Sequence, residues 1–213
     1  MNSVPKIAAT LLAVLVLASC GKSSDEPKSG SSSDISSPAA SASESLSAGP
    51  SSTAKPSTGK AMAGTGYVYN LPQGWEDITA QLKQNQPSID TGGRAKPATP
   101  PFTANMNTLT TPSKVSGAPT ADDLDALAAQ IKGEVKTLAP KIQTRPHVTI
   151  AGAPAVHQEG DANSSGTKFY LVQYFAIHKN KNYGLTFAFP KGASAGEREK
   201  VVQPVLASWK WKP

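Results

Sequence analysis

The chain has 213 residues, with 21 Lys and Arg against 15 Asp and Glu for a net charge of +6, 38% hydrophobic residues, 18 Pro and a single Cys. That length holds one ordinary domain with appendages, and one cysteine excludes a disulfide framework and a thiolate zinc site together. All 13 aromatic residues lie between Tyr67 and Trp211, so the first 66 residues have little with which to build a core.

In chain order, the first feature is one positive charge at Lys6 followed by an apolar or small run from Ile7 to Leu17. At about eleven residues this run is too short to span a bilayer as a helix, and residues 1–19 read as an export signal. Its end, Leu17-Ala18-Ser19-Cys20, resembles the lipobox of bacterial lipoproteins. The resemblance implies cleavage immediately before Cys20, acylation of its thiol and display on the extracytoplasmic face of the cell membrane. An ordinary signal with an incidental cysteine is the other reading. At ~0.8 kcal/mol per buried CH₂, two or three long acyl chains hold a protein far more firmly than one. Between 21 and 60 there are 15 Ser, four Lys balanced by four Asp and Glu, and only Ile35 and Leu46 as large apolar residues. Such a composition cannot offset an ordering cost of roughly 1–2 kcal/mol per residue, so 20–60 is expected to be a disordered tether with an r.m.s. span of about 35 Å.

Residues 61–213 are expected to form a single domain. Tyr67 to Leu71 reads as a strand, Pro72-Gln73-Gly74 as a turn and Trp75 to Ile78 as a short return. Four prolines and the Gly92-Gly93 pair make 84–101 a long surface loop, and Phe102 to Thr110 alternates as a half-buried strand does. Thr120 with Asp123 signals a helix start, and Leu124, Leu127, Ala128, Ile131, Val135 and Leu138 make one apolar stripe before Pro140 stops it. Two short strands follow, Val148–Ile150 and Ala155–Gln158. The segments Lys168–His178 and Asn182–Phe189 then form a hairpin about Lys179-Asn180-Lys181. Ser194 with Glu197 starts a last helix, which Pro204 should kink or shorten. The order predicts an α+β domain, an antiparallel sheet flanked by helices.

The run Tyr69-Asn70-Leu71-Pro72-Gln73-Gly74-Trp75 resembles the start of PsbP-like domains and of LpqN-type lipoproteins. The Asn105-Met106-Asn107 strand, the Asp123-to-Leu138 helix, the Tyr183-to-Phe187 strand and the final helix ending in Ser208-Trp209 are similar too. The resemblance implies an antiparallel sheet with flanking helices and a binding or assembly role. It supplies no catalytic residues.

Gly192-Ala193-Ser194-Ala195-Gly196 satisfies G-x-S-x-G between a strand and a helix, the setting of a nucleophile elbow. No histidine follows it, and a helix N-cap explains the same residues, so a serine hydrolase using Ser194 is the alternative to a non-enzymatic domain. His147, His157 and His178 stand singly, without the convergent spacing a zinc site needs. Asp122-Asp123-Leu124-Asp125 lacks the glycine and terminal glutamate of a calcium loop. No metal or cofactor is expected. From 162 to 213 there are 8 basic and 2 acidic residues. Of Lys168, Lys179, Lys181, Lys191, Lys210 and Lys212, the candidate contacts for an anionic surface are Lys179, Lys181, Lys210 and Lys212, against the reading of ordinary solvated lysines. Trp75 and Trp209 are expected in the core, with Trp211 open. The expected partners are the membrane, through the acyl anchor, and an envelope protein, lipid or anionic wall polymer. Nucleic acid is not expected. An envelope lipid or glycolipid carrier working with a membrane transporter is the second alternative.

Overall fold

A computed structural model describes residues 51–99 and 101–213. The export signal, Cys20 and the tether up to residue 50 lie outside the described residues.

The large sheet grows from three tight hairpins. Strands β6 (Gln143–Ile150), β7 (Ala153–Ser164), β8 (Thr167–His178) and β9 (Lys181–Pro190) are joined by the pairs Ala151-Gly152, Ser165-Gly166 and Lys179-Asn180. Both residues of each pair have positive φ, for example +47° and +59° at Lys179 and Asn180. Mirror-image turns of this kind match the right-handed twist of the strands they join. Strand β9 then pairs with β5 (Asn105–Pro112), β5 with β4 (Ile89–Ala95), and β4 with β3 (Trp75–Asp77). The result is one antiparallel seven-stranded sheet in the order β3-β4-β5-β9-β8-β7-β6.

Both faces of this sheet are buried. Helix α2 (Ala121–Glu134) carries the capping box read from Thr120 and Asp123, and lays Leu124, Leu127, Ala128 and Ile131 on Val156, Phe175 and Leu171. The Gln158 side-chain amide donates to Ala128 O at 2.7 Å and ties this helix to β7. Helix α1 (Thr79–Asn85) adds Leu82 to the same layer. On the opposite face lie helix α3 (Ala195–Ser208) and a second sheet, ordered β1 (Ala61–Gly64), β2 (Tyr67–Asn70) and β10 (Lys210–Trp211). They cover Met106, Val172, Tyr174, Leu185 and Phe187. The architecture is the α+β class read from the sequence.

Tyr67 joins the two sheets. Its ring stacks on Trp209 at 4.2 Å and meets Tyr183 edge-on at 5.8 Å. Its hydroxyl bonds Thr108 of β5, with Thr91 of β4 at 3.3 Å, and the Tyr69 hydroxyl reaches Thr91 at 3.1 Å. Burial pushes both phenols far above the ordinary tyrosine range, more than their hydrogen bonds pull them down, so both keep their protons.

Several sequence expectations are corrected. Residues 84–101 are not a long loop: α1 ends within them and β4 fills Ile89–Ala95. The glycine pair sits inside a strand because side chains occupy the space a Cβ would need. A Cβ on Gly92 would stand 2.2 Å from Leu82 Cδ1, and one on Gly93 2.5 Å from Leu71 Cδ2. The Trp75–Asp77 return pairs with β4 instead of β2, and α2 ends at Glu134, four residues short of Leu138. Helix α3 runs through Pro204 to Ser208; the carbonyl that loses its donor there belongs to exposed Lys200, where water can replace it. Residues 51–60, assigned to the tether, lie against the domain. The Ser57 N–H donates to Pro204 O at 2.9 Å and its hydroxyl to Leu71 O at 2.5 Å, while the Ser52 hydroxyl reaches Gln203 O at 2.9 Å. These bonds need only backbone and serine hydroxyls, which the low apolar content does not disclose.

The packing at Gly93 sets a test. Gly93→Ala forces its new methyl into Leu71 and should lower the unfolding free energy by about 1–3 kcal/mol, measured by denaturant titration.

Candidate functional site

A concave site lies where α3 crosses β7 and β8. Strand alternation places His157 and Glu159 on the α3 face of β7, opposite Tyr174 and Val172 of β8. The β6–β7 register brings Arg145 opposite His157. From above, the first turns of α3 supply Ala195, Arg198 and Glu199, with Val202 and Gln203 further along, closing a cleft of about 110 Å³.

Its charges are paired and oriented. Arg145 Nε stands 2.7 Å from Glu159 Oε1, which raises the Arg145 pKa. The Arg198 guanidinium lies 3.7 Å over the Tyr170 ring and donates to Ala193 O at 2.6 Å, a cation–π arrangement that fixes an otherwise mobile side chain. The His157 ring stacks on Tyr174 at 4.5 Å, and its buried Nε2 has no hydrogen-bond partner. Burial holds the His157 pKa below the usual histidine value; Glu159 pulls the other way and Arg145 adds to the lowering. Burial raises Tyr174 strongly, and raises Tyr170 with help from Glu159. The lining of the cleft therefore combines the imidazole of His157, the phenol of Tyr174, the guanidinium of Arg198 and the side chains of Glu159 and Glu199, with Arg145 and Tyr170 bound to its edge. Ligand pockets for small molecules run to ~300–1,000 Å³. A volume of about 110 Å³ with this lining suits a single polar or charged group better than an acyl chain. A more open depression of about 620 Å³ lies beside α1, lined by Glu76, Asp77, Lys83 and Arg94 together with Ile78 and Ala80, with Glu76 and Arg94 paired at 2.6 Å.

Of the candidate residues singled out in the sequence, His157 lines the cleft and the other described ones fall elsewhere. Ser194 is the N-cap of α3: its hydroxyl donates to Glu197 Oε2 at 2.7 Å and accepts from Glu197 N–H at 3.3 Å. The three histidines are dispersed, His147 Nε2 standing 3.2 Å from Asp125 Oδ1 and the His178 ring stacked on Trp211 at 4.4 Å. Among the described residues no group of three His, Cys, Asp or Glu side chains converges as a metal site requires, and no helix is long and apolar enough to cross a membrane. Trp209 is buried and Trp75 half-buried. Lys179 and Lys212 are brought together, the Lys179 ammonium lying 3.5 Å from Lys212 O, with Lys181 and Lys210 on the same hairpin and strand. Cys20 lies outside the described residues. The cleft was not read from the sequence, although the alternation in Val156-His157-Gln158-Glu159 marks two titratable groups on one strand face. Without the hairpin register, nothing in the sequence links them to Arg145 or Arg198.

The α+β fold, with its antiparallel sheet buried on both faces, is similar to that of PsbP. Cyanobacterial PsbP (CyanoP) from Synechocystis sp. PCC 6803 superposes with a TM-score of 0.50 at 12% identity, over 72% of this chain and 92% of that one. A crystallised protein of Bacteroides thetaiotaomicron VPI-5482 gives a TM-score of 0.50 at 15% identity over 73% of this chain; the match spans about half (49%) of that longer chain. LpqN of Mycobacterium tuberculosis gives 0.48 at 15% identity, over 71% and 87% of the two chains. No family model and no curated protein matches the sequence.

The cleft's electrostatics set a pH test. The His157 pKa is depressed on folding, so on acidification below the ordinary value of ~6.5 the unfolded chain takes up a proton that the folded chain resists. The associated stability is present above that value and is lost as the pH falls through the depressed one. His157→Gln should flatten this loss between pH ~7 and ~5, measured by denaturant midpoints. His178 is depressed in the same direction and is retained in the variant, so the difference reports His157.

Proposed function

We propose that the chain is exported, acylated at Cys20 and held on the extracytoplasmic face of the cell membrane as a non-enzymatic binding or accessory domain of the envelope. The observation that carries this reading is the sequence Leu17-Ala18-Ser19-Cys20 at the end of a short apolar run, followed by a serine-rich stretch and one domain. The cleft under α3 supports binding over catalysis, because it gathers fixed charges and a neutral histidine without a serine, cysteine or threonine among its lining residues. Its size and charge suit a side chain or terminus of a protein partner. The Ser194 hydroxyl is engaged by Glu197, which favours the cap over the nucleophile.

Two measurements test the reading. Cys20→Ala should move the native protein out of the detergent phase and leave it unprocessed or released; continued partitioning of the signal-free protein into the detergent phase would exclude acylation as the tether. The purified protein should remain unlabelled by a fluorophosphonate probe, and stoichiometric labelling that Ser194→Ala abolishes would reinstate the hydrolase.

A further inference from the structure

The large sheet sorts six of the seven lysines between residues 162 and 213, the seventh, Lys200, lying on α3. Strand β8 carries Lys168 near its start and His178 at its end, ten residues or about 33 Å apart. Near the Lys168 end, Lys191 Nζ is held 2.5 Å from Asp161 Oδ2. At the opposite end Lys179, Lys181, Lys210 and Lys212 come together through the β8–β9 turn and β10. Lys212 Nζ donates to Gly64 O at 2.8 Å and Lys179 Nζ to Lys212 O at 3.5 Å. Their partners are neutral carbonyls. Among the described residues none of the four lysines forms an ion pair. Asp90 lies beside this end, but its carboxylate already accepts from the Thr65 N–H and hydroxyl and from the Thr110 hydroxyl.

Two further observations decide what faces this end. Half-buried Trp211 sits among these lysines, stacked on His178, with its indole N–H bonded to Ile150 O at 3.1 Å. A ring with an apolar body and a satisfied polar edge suits the boundary between water and lipid. The N-terminal chain also arrives here. Ser51 bridges to Thr149, with the two hydroxyls 2.5 Å apart, one residue along β6 from the carbonyl that holds Trp211. About thirty residues then lead back to Cys20.

We infer that this end of the domain, Lys179, Lys181, Lys210 and Lys212 around Trp211, docks on anionic phospholipid headgroups of the membrane to which the chain is tethered. The choice of lipid rests on the anchored reading above, because the surface lies where the tether enters. Each basic residue near such a surface strengthens partitioning by about fivefold, so the docked domain would present its α3 cleft from a fixed orientation.

The test uses residues 20–213 carrying Cys20→Ser, which contain every described residue but no acyl chain, with folding checked by circular dichroism. Sedimentation with vesicles of equal parts phosphatidylglycerol and phosphatidylcholine should exceed that with phosphatidylcholine alone by about tenfold or more, and should weaken as salt is raised. Tryptophan emission should shift to shorter wavelength on binding, and Trp211→Phe should remove the shift. Replacing all four lysines with Gln should return binding to the phosphatidylcholine level. The pair Lys179→Gln and Lys181→Gln, which leaves β10 untouched, should give an intermediate loss. Equal partitioning into both vesicles overturns the proposal, as does binding that a folded fourfold variant retains. Sedimentation with a purified anionic wall polymer but not with the mixed vesicles also overturns it. Because this chain carries no acyl group, none of these outcomes depends on Cys20, whose role is read separately by detergent partitioning.

Discussion

The arrangement of this domain depends on the seat of Tyr67. A phenol with almost no exposed surface must find hydrogen-bond partners in the interior, since an unpaired buried hydroxyl costs ~1–3 kcal/mol. Thr91 and Thr108 of the large sheet supply them. The ring simultaneously packs on Trp209 at the end of α3, so one side chain sets β2, the last turn of α3 and the centre of the large sheet relative to one another. The three-stranded sheet is too small to be stable by itself, and it persists because this contact seats it. Strand β10, with Lys210 and Trp211, inherits its position from the same contact: its partner residues on β2 are Val68 and Tyr67 itself.

What the sequence disclosed and what it hid divide along the range of the interactions involved. Thr120 with Asp123, and Ser194 with Glu197, are separated by three residues, and both capping boxes were legible. The Lys179-Asn180 turn was legible for the same reason. Gly92 and Gly93 were misread because their justification is tertiary: Leu82 and Leu71 fill the space beside them, and no local rule separates such a pair from a loop. Strands β1 and β10 escaped notice because they are short and pair only through β2. The Trp75–Asp77 strand was visible as a strand, but its partner was not, since the chain leaves one sheet for the other at Pro72-Gln73-Gly74.

The cleft was hidden in the same way. His157 and Glu159 share a strand face by simple alternation, yet Arg145 reaches them through a bulged hairpin and Arg198 through a helix that begins 36 residues after Glu159. Each group alone is an ordinary surface residue. Together they form a site in which burial disfavours the charge of the histidine while Arg145 and Glu159 are held as an ion pair. Such fixed charge favours recognition of one charge pattern over another. The PsbP-like frame provides a rigid floor for it, since β7 and β8 are covered on both faces.

Residues 51–60 bear on how this domain would carry a mechanical load. A pull arriving from the N-terminal side first meets the Ser51 bridge to Thr149, then the Ser52 bond to Gln203, and only afterwards the buried Ser57, bonded to Pro204 and Leu71. Their order along the chain places all three attachments ahead of β1 and the core behind it. Held by hydrogen bonds and not by buried apolar side chains, this segment would take such a load before the core does.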